Sequence, residues 1–122
     1  KDHAMFVARA PLWFEERGRL FVHAGFDPSR ELERIPRDML IWDRKLFQLA
    51  CELEATAPYT KIGPYDEIFI GHTPVTNIGK AVPQKLCNVW AMDTGAGYGH
   101  QLTIMDVSSK EFWQAPAREH CE

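Results

Sequence analysis

The chain has 122 residues, 45% of them apolar, which is enough to build one core without covalent staples and too much for a disordered polypeptide. Fourteen basic side chains stand against seventeen acidic ones, so no broad cationic surface is available and nucleic acid is not expected as a partner. No apolar run approaches the roughly 20 residues that cross a bilayer, and the first ten residues, KDHAMFVARA, lack the apolar core of a signal peptide.

Three cysteines, Cys51, Cys87 and Cys121, are odd in number and widely spaced, with neither a C-x-x-C pair nor zinc-finger spacing. They read as ordinary thiols in a reducing compartment. The expectation is a soluble cytoplasmic protein with no membrane partner.

Apolar residues begin early, at Met5, Phe6 and Val7, and no initiator Met precedes them, so the chain is expected to begin inside a fold. PLWFEERGRLFVHAGF alternates, with Leu12 and Phe14 on one side and Trp13 and Glu15 on the other. Arg17-Gly18 then supplies a turn before Leu20-Phe21-Val22, a hairpin signature whose second strand ends at His23. Ala24-Gly25 is small enough to let the backbone bend there.

The period then changes. Leu46, Leu49, Ala50 and Leu53 recur at i, i+3, i+4 and i+7, predicting a helix that ends before Pro58, with Leu40-Ile41-Trp42 leading into it. YDEIFIGH reads as a buried strand, and CNVWAMDTGAGYG repeats the design of an apolar run, an acid and a glycine-rich turn. LTIMDV and EFWQ, joined by SSK, predict a terminal hairpin, while QAPAREHCE loses the apolar pattern and is expected to fray. Strands before and after one good helix indicate an α/β or α+β fold with a mixed sheet and a flanking helix.

Three of the predicted strands finish in a polar residue beside a glycine: LFVHAG, IFIGHT and VWAMDTG. In layered α/β proteins, sites lie where strand ends and loops converge, so His23, His72 and Asp93 could meet at one sheet edge. Neutral imidazole is a ligand for divalent Mn, Fe, Zn or Co, and a neighbouring carboxylate fixes its tautomer. Each residue also has a plainer reading: histidines that simply hydrogen-bond to a neighbouring loop, and an Asp93 that before Thr-Gly is a good turn former. Arg44 either pairs with Asp43 or Asp38, lies on a solvated face, or grips two phosphate oxygens with its planar fork. His3, His100 and His120 default to the surface.

In order along the chain, FVHAGFDP, LIWDR, IFIGHTPV and MDTGAGYGHQLTIMD resemble the second half of the calcineurin-like metallophosphoesterases, over about residues 6–113. The resemblance is closest to bacterial and phage serine/threonine protein phosphatases and to symmetrical diadenosine tetraphosphate hydrolases. It implies the second half of an α/β/β/α sandwich, with residues 1–122 as the C-terminal portion of one domain. It implies that His23 and His72 bind the second of two divalent metal ions (Mn, Fe or Zn) and that Arg44 holds the substrate phosphate. Asp93 and Tyr98 match the turn beside the site, Asp93 as supporting carboxylate and Tyr98 near the phosphate. A metal-bound hydroxide then attacks phosphorus directly.

The family's earlier motifs, an Asp-x-His pair, a Gly-Asp-x-x-Asp-Arg segment and a Gly-Asn-His-Glu/Asp segment, are absent, and Asp2-His3 does not replace them. The missing N-terminal half is therefore an implied partner, and the isolated chain is expected to bind metal weakly and to catalyse poorly. His100 stands where relatives commonly carry glycine. The implied substrate is a phosphorylated protein or a small phosphate ester. A dinucleoside polyphosphate, stacked on Trp13, Trp42, Trp90 or Tyr98, is one alternative, and a non-catalytic interaction domain is another.

Overall fold

Arg17 and Gly18 both take left-handed backbone angles, φ 51° and 80°, and the turn they make closes an antiparallel hairpin between β1 (Trp13–Glu16) and β2 (Arg19–Val22). Two consecutive positive φ values match the right-handed twist of paired strands, which is why this dipeptide works as the predicted turn. The computed structural model describes residues 11–116.

Strand β2 pairs in parallel with β3 (Glu67–Ile70), and β3 in parallel with β5 (Val89–Ala91). Antiparallel strands close both edges, β1 on one side and β4 (Gln84–Leu86) on the other, giving the order β1-β2-β3-β5-β4. The register separates two faces. Leu20, Ile68 and Val89 lie side by side on one, each 0% exposed; Phe21, Phe69 and Trp90 lie side by side on the other. The side-chain period of two along a strand forces this division.

The aliphatic face packs against α1 (Arg37–Trp42) and α2 (Lys45–Thr56), through Leu40, Leu46, Phe47 and Ala50. Leu40-Ile41-Trp42 therefore belongs to a separate helix and does not lead into a single one. The break is at Asp43, which leaves helical geometry (φ −61°, ψ 138°) and uses its carboxylate to accept the Leu46 N–H at 3.0 Å. An aspartate that satisfies an orphan helix N–H stabilises a helix start better than a helix interior. The buried stripe of α2 also differs from the expected one: Phe47 joins Leu46 and Ala50, while Leu49 is exposed. The docking of α2 decides this, because Leu46 sits so close to Gly25 that a Cβ there would lie 3.0 Å from the leucine Cβ.

The terminal hairpin forms as predicted, from β6 (Gln101–Met105) and β7 (Phe112–Pro116), and makes a two-stranded sheet of its own. Its turn is held by Asp106, whose Oδ1 accepts the N–H groups of Ser108 and Ser109. Fraying was expected from Gln114 onward, yet β7 continues through Pro116. Gln114 Nε2 donates to the Ala81 carbonyl at 2.8 Å, a contact 33 residues away that local patterning cannot reveal. The rest of that tail with His120 and Cys121, and the early residues His3 and Met5 to Val7, lie outside the described residues. The fold is α+β, a mixed sheet with helices on one face, and among the described residues no helix is long and apolar enough to cross a membrane.

Candidate functional site

Because β2, β3 and β5 run parallel, their C-terminal ends come out at one edge of the sheet. The chain leaves β2 through His23, β3 through Gly71-His72, and β5 through Met92-Asp93. Backbone bonds continue across these exits: Gly71 N–H donates to His23 O at 2.7 Å, Met92 N–H to Ile70 O at 2.8 Å, and Val75 N–H to Asp93 O at 2.8 Å.

His72 has φ 67°, a left-handed angle uncommon for a side-chain-bearing residue, and Thr73 N–H donates to Gly71 O at 2.7 Å across it. That tight turn brings the His72 ring to 5.2 Å from the His23 ring, centroid to centroid, at 56°. Strained backbone of this kind persists where surrounding structure holds it, here Pro74 and Val75, both buried. Trp42, 67% exposed at the end of α1, also meets His72 edge-on, at 5.4 Å between ring centroids.

The electrostatics of His72 record its neighbours. Burial lowers its pKa below the usual 6.5, the positive fields of His23 and Arg44 lower it further, and Asp93 opposes them. The neutral imidazole, with a free lone pair, is thus the favoured form at neutral pH. His23, Arg44 and Asp93 thus all lie within electrostatic reach of this one ring.

Arg44 is exposed at the first turn of α2 and makes no ion pair with Asp43 or Asp38 among the described residues; the Asp43 carboxylate is engaged in the helix cap. Asp93 carries out its plainer role, with Oδ1 accepting the Gly95 N–H at 2.9 Å, while its charge also reaches His72. Gly95, at φ 90°, could not carry a side chain: a Cβ there would stand 2.9 Å from the Cβ of His100, which is exposed and lies against this glycine. Tyr98 lies in a short 3-10 turn, Ala96–Tyr98, and is 70% exposed.

Between the sheet edge and the hairpin runs a cleft of about 320 Å³. His23, His72 and Asp93 line its sheet side, and Gln101, Leu102 and Thr103 its hairpin side; Tyr98 is outside this lining. Thr94, buried beneath, ties the walls together, its Oγ1 lying 2.6 Å from both Gln101 O and Thr103 Oγ1. The hairpin wall was not legible as part of a site, since polar-apolar alternation in β6 says nothing about what it faces. Thr73 closes the tight turn at His72. Its Oγ1 is buried without a hydrogen-bond partner, the one such side-chain atom among the described residues.

Two close imidazoles, with His72 favoured in the neutral form, have the right chemistry for a divalent transition ion. Among the described residues, however, no group of three or more His, Cys, Asp or Glu side chains is placed to hold one. A pair of imidazoles falls short of the three protein donors that such an ion ordinarily takes. No protein-family model matches the chain, and no curated protein matches it.

Proposed function

We propose that this chain carries half of the active site of a metal-dependent phosphoester hydrolase acting on phosphorylated serine or threonine in proteins. The observation that carries the reading is the His23–His72 pair, rings 5.2 Å apart at the parallel edge of the sheet, with Arg44 acting on the same imidazole. His23 and His72 would hold one divalent ion, and further donors, with a second ion, would come from a partner polypeptide segment. Such ions lower the pKa of water and stabilise charge on phosphoryl oxygens.

The roles of this chain's own residues follow from their placement. Arg44, exposed and without a carboxylate partner among the described residues, is available to bind two oxygens of a phosphate and to neutralise charge as it develops. The tight turn at His72 brings its ring beside that of His23, and the charge of Asp93 acts on the same ring. The aromatic face of the sheet is only partly covered. Phe14, at its β1 end, is 53% exposed, and Ile104 and Trp113, paired across the hairpin, are 66% and 56% exposed. Apolar surface of this extent supports the reading that a further layer of the domain packs here.

Trp42 favours a second reading. An indole 67% exposed beside His72 is a platform for a nucleobase, which points to dinucleoside polyphosphates as substrate.

Equilibrium dialysis against Mn²⁺ or Co²⁺ tests the core of the proposal. The chain should bind weakly, and His72→Ala should lose at least about tenfold in affinity, the smallest loss typical even of residues that only support a metal ligand. Equal binding by the two proteins would remove the ligand assignment. Hydrolysis by the chain joined to its completing segment decides between substrates: turnover of a phosphothreonine peptide supports the first reading, turnover of diadenosine tetraphosphate the second, and metal binding without either the interaction domain.

A further inference from the structure

We propose that Lys110, in the turn of the C-terminal hairpin, is a positioning residue for the cleft: its ammonium latches the hairpin onto the aromatic face of the sheet and so sets the separation of the two cleft walls. This goes beyond the proposed function and holds whatever chemistry the cleft performs.

Lys110 is built into its place. It takes a left-handed φ of 65°, and its side chain is only 23% exposed. Nζ lies 2.9 Å from Glu67 Oε2, donates also to the Val107 carbonyl, and sits 5.9 Å and 5.8 Å from the ring centroids of Phe69 and Trp90. Both rings are within the distance at which an ammonium is attracted by an aromatic face.

Glu67 makes the latch a junction. Its carboxylate accepts from Arg19 Nε on β2 at 2.9 Å and from Trp90 Nε1 on β5 at 3.3 Å, besides Lys110. The hairpin turn is thereby tied to all three parallel strands. Beneath it, Phe69 is stacked between Phe21 at 4.9 Å and Trp90 at 6.5 Å. Phe69 also lines the cleft, so one ring lies under the ammonium and in the wall that carries His23 and His72.

A two-stranded sheet is marginal by itself and takes its position from what it is fastened to. This one is fastened at two ends. At the cleft end the bonds are neutral, Thr94 to Gln101 and Thr103, and Gln114 to Ala81. At the turn end the fastening is the Lys110 charge. Exposure of Ile104 and Trp113 leaves the outer face of the hairpin without a described layer pressing it inward. The position of the hairpin then depends on both fastenings, and arginine can replace the lysine charge where methionine cannot.

The test is two-dimensional NMR on the chain at one fixed pH, comparing wild type, Lys110→Met and Lys110→Arg. Lys110→Met should lose the cross-cleft NOEs between Thr94 and Thr103 and displace the ring resonances of His23 and His72; Lys110→Arg should restore both. Should Lys110→Met fail to fold, Lys110→Gln, which keeps a donor for Glu67 but no charge, is read by the same two signals. If a charge-removing variant lowers the melting temperature yet leaves NOEs and ring resonances in place, Lys110 contributes stability alone and the proposal fails. Failure of arginine to restore them overturns it too.

Discussion

The two faces of the central sheet are made from the same three parallel strands and are finished very differently. On the aliphatic face, Leu20, Ile68 and Val89 are completely buried under α1 and α2. On the aromatic face, cover comes from a hairpin held by a charge and a few hydrogen bonds, and Phe14, Ile104 and Trp113 remain exposed. Stability therefore resides in the first face, while the cleft, with one wall from the sheet and one from the hairpin, depends on the second. Such a division is common where a rigid scaffold carries a site whose walls must be adjusted.

Core truncation should expose the contrast most strongly. Ile68→Ala removes side-chain volume from a site with no solvent exposure and should cost about 2–5 kcal/mol. Ile104→Ala on the hairpin, 66% exposed, should change stability by less than about 0.5 kcal/mol. Urea unfolding of both variants measures the difference, and comparable losses would show that the hairpin face is as well packed as the helical one.

Gly25→Ala comes next, because it links the core to the site. A Cβ there would meet Asp43 Oδ2 at 2.5 Å and Leu46 Cβ at 3.0 Å, so the start of α2 must shift. The expected cost is about 1–3 kcal/mol. Arg44 follows Asp43, so the His72 ring resonances should move as well. A stable variant with an unchanged His72 spectrum would separate the helix start from the site.

The aromatic face should carry a signature in pH. Burial pushes Glu67 up, but hydrogen bonds from Arg19, Lys110 and Trp90 outweigh it and hold the carboxyl below its ordinary 4.5. A carboxylate with a depressed folded pKa contributes its full stability above the unfolded value and loses it as pH falls through the folded one. Wild type should exceed Glu67→Gln by about 2 kcal/mol at pH 7, and the gap should close only below about pH 4.5. Urea titrations from pH 7 to about 3 follow it, and a gap independent of pH would mean the charge is not what Glu67 contributes.

The smallest effect belongs to the β1–β2 turn. Arg17 holds φ 51°, which asparagine tolerates better, so Arg17→Asn should raise stability by about 0.5 kcal/mol in thermal unfolding. A loss would show that the arginine side chain makes a compensating contact.

Patterns that depend on near neighbours were legible in the residues. Arg17-Gly18 between alternating runs specified a hairpin, IFI specified a buried strand, and the Asp-Thr-Gly sequence specified a turn in which Asp93 accepts the Gly95 N–H. The break between α1 and α2 was not, because Leu40-Ile41-Trp42 carries enough apolar character to continue a helix and only the Asp43 cap, fitted against Gly25, ends it. Nor was β4, three residues long, whose pairing with β5 supplies the order that propensity lacks.

For the candidate site, the sequence alone determined which residues stand at the strand ends: His23, His72 and Asp93 come just past apolar runs, where strand period and glycine oblige the chain to turn. Only the tertiary structure decided that these runs are adjacent and parallel, that the two rings lie 5.2 Å apart, that Tyr98 is outside the cleft lining, and that β6 forms the opposite wall. The physical reason is one of range. Turn chemistry and side-chain alternation act over a few residues, whereas the cleft is closed by contacts such as Glu67 with Lys110, 43 residues apart, which exist only once the sheet has formed.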